Sequence, residues 1–267
     1  MTYRSNRHCF TRLRSSLALA LLIAVVATRP GAAQQVAEAS TQAAPIKILL
    51  VTGGCCHDYA FQTKAMQLAL QKRDLAAQWT VIHEGGNGTD AQIDLYKNAD
   101  WAKGFDVVIH NECFASTKDA EYIRRITGPH HAGANAVVIH CAMHTYRDAE
   151  IDDWRQFLGV TSRRHEHQSE YPVEVVAAEH PIMEVFPKDY RSAKDELYVI
   201  EKLWPTATVL ATSTSESTGE SHPVMWVNTY GKARVFGTTY GHSNETFQDP
   251  VFLDTLTRGI RWAAQGN

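Results

Sequence analysis

From Ile46 onward, short apolar runs alternate with segments whose apolar residues recur at helical spacing. Ile46-Lys-Ile-Leu-Leu-Val-Thr52 is an almost unbroken β-branched and leucine run stopped by Gly53-Gly54, which predicts a strand buried on both faces. Phe61, Ala65, Met66, Leu68, Ala69 and Leu70 follow the spacing of a helix over 59–70, and 78–83 returns to a strand pattern, completing a β-α-β unit. The rhythm repeats with a strand at 105–110, a helix at 119–126 and a strand at 136–140. Strands that alternate with helices imply a mostly parallel sheet, since parallel neighbours need a crossover between them.

After Tyr146 the pattern changes. A helix is expected at 151–158, followed by strand-like runs at 173–177, 196–200, 208–212, 224–227 and 234–239 with no room for helices between most of them. Part of the sheet should therefore be antiparallel. The segment 250–264 closes the chain as an amphipathic helix, with Phe252, Leu253, Leu256, Ile260 and Trp262 mainly on one face and Pro250 in its first turn. The fold class expected is α/β, a mostly parallel sheet with added antiparallel strands in the C-terminal half.

The N-terminus reads differently. Arg4, Arg7, Arg12 and Arg14 precede an apolar run from Leu17 to Ala27, and Gly31-Ala32-Ala33 supplies small residues before Gln34. This is the pattern of an export signal over 1–33, and its apolar stretch of about 11 residues falls short of the roughly 20 needed to span a membrane. Residues 34–45 are small and polar and read as a flexible leader; one domain is expected over 46–265, about 220 residues and enough for a sizeable core. The expected location is outside the cytoplasm, in the periplasm of a double-membrane bacterium, with no stable membrane span after cleavage. A formal net charge of −3 and no basic run argue against nucleic acid or an acidic membrane as partner and for a small neutral molecule. The pattern leaves the oligomeric state open. Cys55, Cys56, Cys113 and Cys141 would remain after cleavage, at spacings that match no zinc ribbon or finger; a single local disulfide and a free-thiol set are both open.

In an open parallel sheet, ligands bind beyond the carboxyl ends of the strands. There this chain is unusually polar: Gly53-Gly-Cys-Cys-His57-Asp58, His110-Asn-Glu-Cys113, His140-Cys-Ala-Met-His144, a loop with His165-Glu-His167, and Tyr240-Gly-His242-Ser243. Any one histidine is unremarkable in a core or on a surface. Three unrelated loops that each deliver a histidine to one sheet edge point instead to His57, His140 and His242 as a group, since neutral imidazole is both a general base and a metal ligand. Gly85-Gly-Asn-Gly88 lacks the spacing of a dinucleotide fingerprint and reads as a turn, so no nucleotide cofactor is expected. Neither Gly-x-Ser-x-Gly nor His-Glu-x-x-His occurs.

Taken in order, Ile48-Leu-Leu-Val-Thr-Gly-Gly-Cys-Cys-His57-Asp58, Val138-Ile-His140-Cys-Ala-Met-His144, Glu179-His-Pro-Ile182, Asp195-Glu-Leu-Tyr198, His222-Pro-Val-Met-Trp226 and Arg234-Val-Phe-Gly-Thr-Thr-Tyr-Gly-His242-Ser243 resemble ThuA-like (trehalose utilisation) domains over about residues 46–264. The resemblance implies a flavodoxin-like sheet with helices on both faces, similar to class I glutamine amidotransferases, with His140 where those enzymes carry a cysteine nucleophile. Cys141 lies one position later, so glutamine hydrolysis is not implied. Many members carry Phe-Arg-His where this chain has Cys55-Cys56-His57, so any role of that arginine does not transfer.

The family resembles partners of sugar dehydrogenases that produce 3-keto derivatives, which implies a carbohydrate substrate and isomerisation, elimination or hydrolysis next to a ketone. On that basis His57, His140, His242 and Glu196 are the catalytic candidates. His57, His140, His242 and His167 are candidates to hold a divalent metal such as zinc, or else to share acid–base work without one. Asp58, Glu112, His144, Tyr198, Trp226 and Tyr240 are candidates to surround the sugar, Glu112 also as a base and the aromatics by stacking, with core packing the competing role for each aromatic. Two other readings stand beside this one: a carbohydrate-binding or scaffold protein without turnover, and a thiol enzyme using Cys113 or Cys141.

Overall fold

A computed structural model describes residues 44–266, so the expected export signal and most of the leader lie outside the described residues. The elements run β1 (Ile46–Gly54), α1 (Tyr59–Lys72), β2 (Ala77–His83), β3 (Val107–Cys113), α2 (Ala120–Ala132), β4 (Ala136–Ile139), α3 (Asp153–Leu158), β5 (Val160–Ser169), β6 (Glu174–Val175), β7 (Asp195–Leu203), β8 (Ala207–Thr214), β9 (Ser221–Tyr230), β10 (Ala233–Thr238) and α4 (Pro250–Ala264). Eight strands form one sheet in the order β2-β1-β3-β4-β10-β9-β8-β6, with β5 and β7 paired separately. The first five strands of that order are parallel, and β9, β8 and β6 extend the sheet in antiparallel fashion.

Strand β1 explains the architecture. Its Ile48 and Leu50 face a layer built on α1 and α4 with Met66, Leu70, Phe252, Leu256 and Ile260, whereas Leu49 and Val51 face the α2 and α3 layer with Tyr122, Ile126, Trp154 and Phe157. A strand covered on both sides must be apolar at every position, which is why the run lacks alternation. The chain passes from β1 to β2 on one side and returns to β3 on the other, so the crossover reverses beside β1 and opens a crevice at the strand ends.

Two elements depart from the sequence pattern. Helix α2 continues past the expected end at 126, through Gly128-Pro129, to Ala132. Pro129 has no N–H to offer the Arg125 carbonyl one turn back, and the Trp101 indole donates to that carbonyl instead, at 3.1 Å. The expected loop around His165 is strand β5, antiparallel to β7 with register shifts at Thr161/Ser162, Ser162/Arg164 and His165/Gln168. Among the described residues no helix is long and apolar enough to cross a membrane.

Candidate active site

A cavity of about 290 Å³ opens at the carboxyl ends of β1, β3 and β4, bounded on its far side by β5, β7 and the segment after β10. The delivery of its first side chains depends on two glycines. Gly53 and Gly54 have φ of 137° and 95°, and a Cβ would lie 2.1 Å from the Glu84 carbonyl oxygen at Gly53 and 2.3 Å from that of Cys113 at Gly54. Only residues without a side chain let β1 leave between its neighbours here, and the chain then turns through Cys55 and Cys56 to present His57. Asp58 follows as the cap of α1, its carboxylate accepting from the Phe61 N–H at 3.0 Å.

His140 is the first residue after β4 and sits at φ 46°, in the left-handed region that a non-glycine residue rarely occupies and that costs of order 1–3 kcal/mol when it does. The tight turn aims the ring into the cavity. Its Nδ1–H donates to the Thr239 carbonyl at 2.6 Å, so Nε2 is the free nitrogen, 3.3 Å from the Tyr198 hydroxyl and 3.6 Å from Glu196 Oε2. Similar logic fixes His57. The Tyr59 hydroxyl donates to the Cys55 carbonyl at 2.7 Å, so His57 Nδ1 must donate to that hydroxyl, at 3.2 Å, and Nε2 is left facing His242 Nδ1 at 3.3 Å. His242 Nδ1 is also 3.3 Å from Glu196 Oε1, and its Nε2 is held by the Gln168 amide at 2.8 Å.

The carboxylates beneath are adjacent in sequence and opposite in role. Asp195 is fully buried and accepts from the N–H groups of Gly241 at 2.9 Å and His242 at 3.1 Å and from the Thr246 hydroxyl at 2.5 Å, tying the segment after β10 to β7. Burial raises its pKa to about 6, against the pull of these hydrogen bonds. Glu196, the next residue, points the other way into the cavity. Burial alone would raise its pKa, but the His242 hydrogen bond and the surrounding imidazoles bring it below the usual carboxylate value.

Burial, followed by mutual repulsion within the group, lowers the His57 pKa to about 3. Burial likewise lowers His140 to about 3 and His144 to about 2. His242 moves up instead, chiefly through its hydrogen bond to Glu196. At neutral pH the site therefore holds neutral imidazoles at 57 and 140 beside a carboxylate. His144 lies flat on Tyr198, ring centroids 4.0 Å apart, and its Nε2 is 3.0 Å from the Ser162 hydroxyl.

The candidate residues thus divide. His57, His140, His144, Glu196, Tyr198 and His242 line one cavity. Asp58 does not line it and instead caps α1. Glu112 does not line the cavity: it shares with His110 the face of β3 turned toward α2, is wholly buried, and takes the His110 Nδ1–H at 2.8 Å. Trp226 is a core residue, its indole donating to the Leu158 carbonyl at 2.7 Å and its ring lying where any Cβ at Gly237 would sit, 2.3 Å away. Tyr240 is buried in the α1/α4 layer with its hydroxyl 2.8 Å from Ser213 Oγ.

His167 is exposed and paired with Glu216 at 2.9 Å, away from the three-histidine group. His165 takes the place at the cavity, 3.5 Å from Glu196 Oε2, and Arg147 also lines it. The bulge between His165 and Gln168 sets which of the two histidines faces inward, and a strand prediction for 160–169 was the missing signal. The four cysteines also meet here, as Cys55–Cys56 and Cys113–Cys141 disulfides.

The donor set fits a metal. One ligand atom from each of His57, His140 and His242 lies within 4.8 Å of the others. Tetrahedral zinc with Zn–N near 2.0–2.1 Å needs ligand atoms about 3.4 Å apart, against 3.3 Å between His57 and His242. His57 and His140 are also anchored through their other nitrogen, by Tyr59 and Thr239, as metal-binding histidines usually are, whereas His242 Nε2 meets the Gln168 amide nitrogen.

Comparison with known proteins agrees with this architecture. The profile of the ThuA, trehalose utilisation, family matches residues 47–263. A comparison with curated proteins finds no match. Among solved structures, a ThuA-like protein from Parabacteroides merdae is 22% identical with a TM-score of 0.67, covering 83% of this chain and 90% of its own. A ThuA-like protein from Bacteroides uniformis is 18% identical with a TM-score of 0.63, over 82% of this chain and 92% of its own. A β-galactosidase from Rahnella sp. shares the fold over 81% of this chain but only 31% of its own, at 16% identity and a TM-score of 0.52. The sheet is flavodoxin-like, in keeping with the class I glutamine amidotransferase-like superfamily, and the chain belongs to the ThuA family.

Proposed function

We propose that this chain is an exported enzyme that moves a proton beside the carbonyl of a keto-sugar, leading to isomerisation or to loss of the C1 substituent. The observation that carries the reading is the placement of the Glu196 carboxylate within 3.6 Å of His140 Nε2 and His242 Nδ1, in a cavity that also holds neutral His57. A ketone at C3 acidifies the C2 proton, and a carboxylate that is ionised at neutral pH and shielded in a small cavity is placed to take it.

In the step proposed, Glu196 accepts the C2 proton and the electron pair moves onto the C3 oxygen as an enolate. Collapse of the enolate expels the C1 substituent, which leaves with a proton, or reprotonation returns the isomeric sugar. With no metal bound, His242, whose pKa is raised, donates to Glu196 from Nδ1 and can pass that proton to the leaving oxygen. The Tyr198 hydroxyl, held protonated by burial and 3.3 Å from His140 Nε2, is placed to donate to a sugar oxygen in the cavity, with His144 stacked behind its ring. His57, His140 and His242 would hold a divalent ion such as zinc, which would polarise the ketone oxygen as a Lewis acid. A reaction that oxidises the C3 hydroxyl, as a sugar dehydrogenase does, must supply this substrate.

Elemental analysis of wild type and a His57→Ala/His140→Ala variant, purified without chelator, tests the metal part. Near-stoichiometric zinc lost in the variant supports it, and no metal in either after attempted reconstitution contradicts it. Retained sugar affinity without turnover in wild type would favour a binding protein instead.

A further inference from the structure

The four cysteines are not needed for proton transfer, yet the fold gathers all of them on the wall of one cavity. Cys55 and Cys56 follow β1, Cys113 ends β3, and Cys141 follows His140 at the end of β4. These three strands are neighbours, with Gly54 directly opposite Cys113 in the ladder. The two disulfides differ in access. Cys56 is exposed and Cys55 half-buried, whereas Cys113 and Cys141 are 4% and 8% exposed. Cys55 Sγ lies 3.7 Å from Cys113 Sγ, and the sulfurs of Cys55, Cys56 and Cys113 all lie within 4.8 Å of one another.

We propose that the Cys55–Cys56 pair is the port of a two-electron thiol–disulfide relay that takes reducing equivalents from an external dithiol and passes them to the Cys113–Cys141 disulfide behind it. In the first step a thiolate of the external dithiol attacks Cys56 Sγ and expels Cys55 as a thiolate. The second external thiol then closes the donor's own disulfide and releases Cys56, so that the donor is oxidised and Cys55 and Cys56 are reduced. Next, the Cys55 thiolate attacks Cys113 Sγ, forming a Cys55–Cys113 bond, breaking Cys113–Cys141 and releasing Cys141. Cys56 then attacks Cys55 Sγ, restoring Cys55–Cys56 and releasing Cys113. The two protons given up by Cys55 and Cys56 end on Cys141 and Cys113. Two electrons and two protons have moved inward, and the end of β3 is no longer tied to the turn that carries His140.

The test uses folded full-length protein treated with dithiothreitol, with timed alkylation and mass spectrometry of each cysteine. In wild type, Cys113 and Cys141 become alkylatable through the port. In a Cys55→Ser/Cys56→Ser variant their reduction slows at least about tenfold in the folded state, while both proteins react at the same rate in denaturant. Equal folded-state rates would overturn the relay. Cys56→Ser alone supplies a second readout that needs no rate comparison. Its unpaired Cys55 is expected to be found joined to Cys113, with Cys141 free, because the resolving thiol is missing. A Cys56→Ser protein with Cys113–Cys141 intact and Cys55 alkylatable would also overturn the proposal.

Discussion

Nε2 of His57 lies 3.3 Å from Nδ1 of His242, across a sequence separation of 185 residues. Such proximity between two imidazoles is tolerable only if at least one is neutral, and the low pKa of His57, set first by burial and then by His140 and His242, meets that condition. In metal-free protein, His57 and His140 should therefore show the carbon chemical shifts of neutral rings down to about pH 3, while His242 titrates above its ordinary value of 6.5. NMR of protein carrying labelled histidine measures this directly, and protonation of His57 near pH 6.5 would contradict it.

The same shifts set a pH dependence of stability. A histidine whose folded pKa is depressed contributes stability that is present above its unfolded value of 6.5 and is lost as pH falls toward the folded value, about 3 for His57 and His140. Asp195 acts in the opposite sense, its contribution being present below 3.8 and lost as pH rises through about 6. The buried histidines outnumber it, since His144 and His130 are lowered as well. Urea midpoints should fall between pH 7 and pH 5.

Asp195→Ala leaves the N–H groups of Gly241 and His242 and the Thr246 hydroxyl without their shared acceptor. The expected loss is roughly 3 kcal/mol in chemical denaturation. Because the freed segment carries His242, metal or sugar affinity should drop with it.

Trp226→Phe should cost about 1 kcal/mol through the lost bond to the Leu158 carbonyl, and Trp226→Ala about 3–5 kcal/mol through the cavity left in the core. Neither should change affinity for sugar in the fraction that remains folded. A selective loss of sugar binding in the Phe variant would return Trp226 to the site.

The sheet was legible because β1, β4 and the first half of β3 are apolar at nearly every position and the closing helix carries a one-sided stripe from Phe252 to Ile260. The histidine triad was legible because His140 follows directly on β4 and His57 and His242 lie within the short segments that leave β1 and β10. What the chain concealed depended on tertiary partners. The polar run Ser162-Arg-Arg-His-Glu-His-Gln168 carries no strand signal and is a strand because β7 pairs with it, which hid His165. Glu112 and Trp226 look like site residues in a motif, but the two-residue period of a strand turns each toward the core.

Export has its own check. If residues 1–33 are an export signal, mature protein recovered from the periplasm should begin at Gln34, read by N-terminal sequencing or intact mass. Protein retained in the cytoplasm with the first residues intact would contradict it.

The most direct measurement of the central claim is exchange of the C2 proton of a methyl 3-keto-glucoside in heavy water, followed by proton NMR. Wild type should incorporate deuterium at C2 well above the solvent rate. Glu196→Gln should lose at least about a hundredfold of that acceleration while remaining folded and still binding sugar. Undiminished exchange in Glu196→Gln, or none in wild type with the sugar bound, would contradict proton transfer by Glu196 as the function of this site.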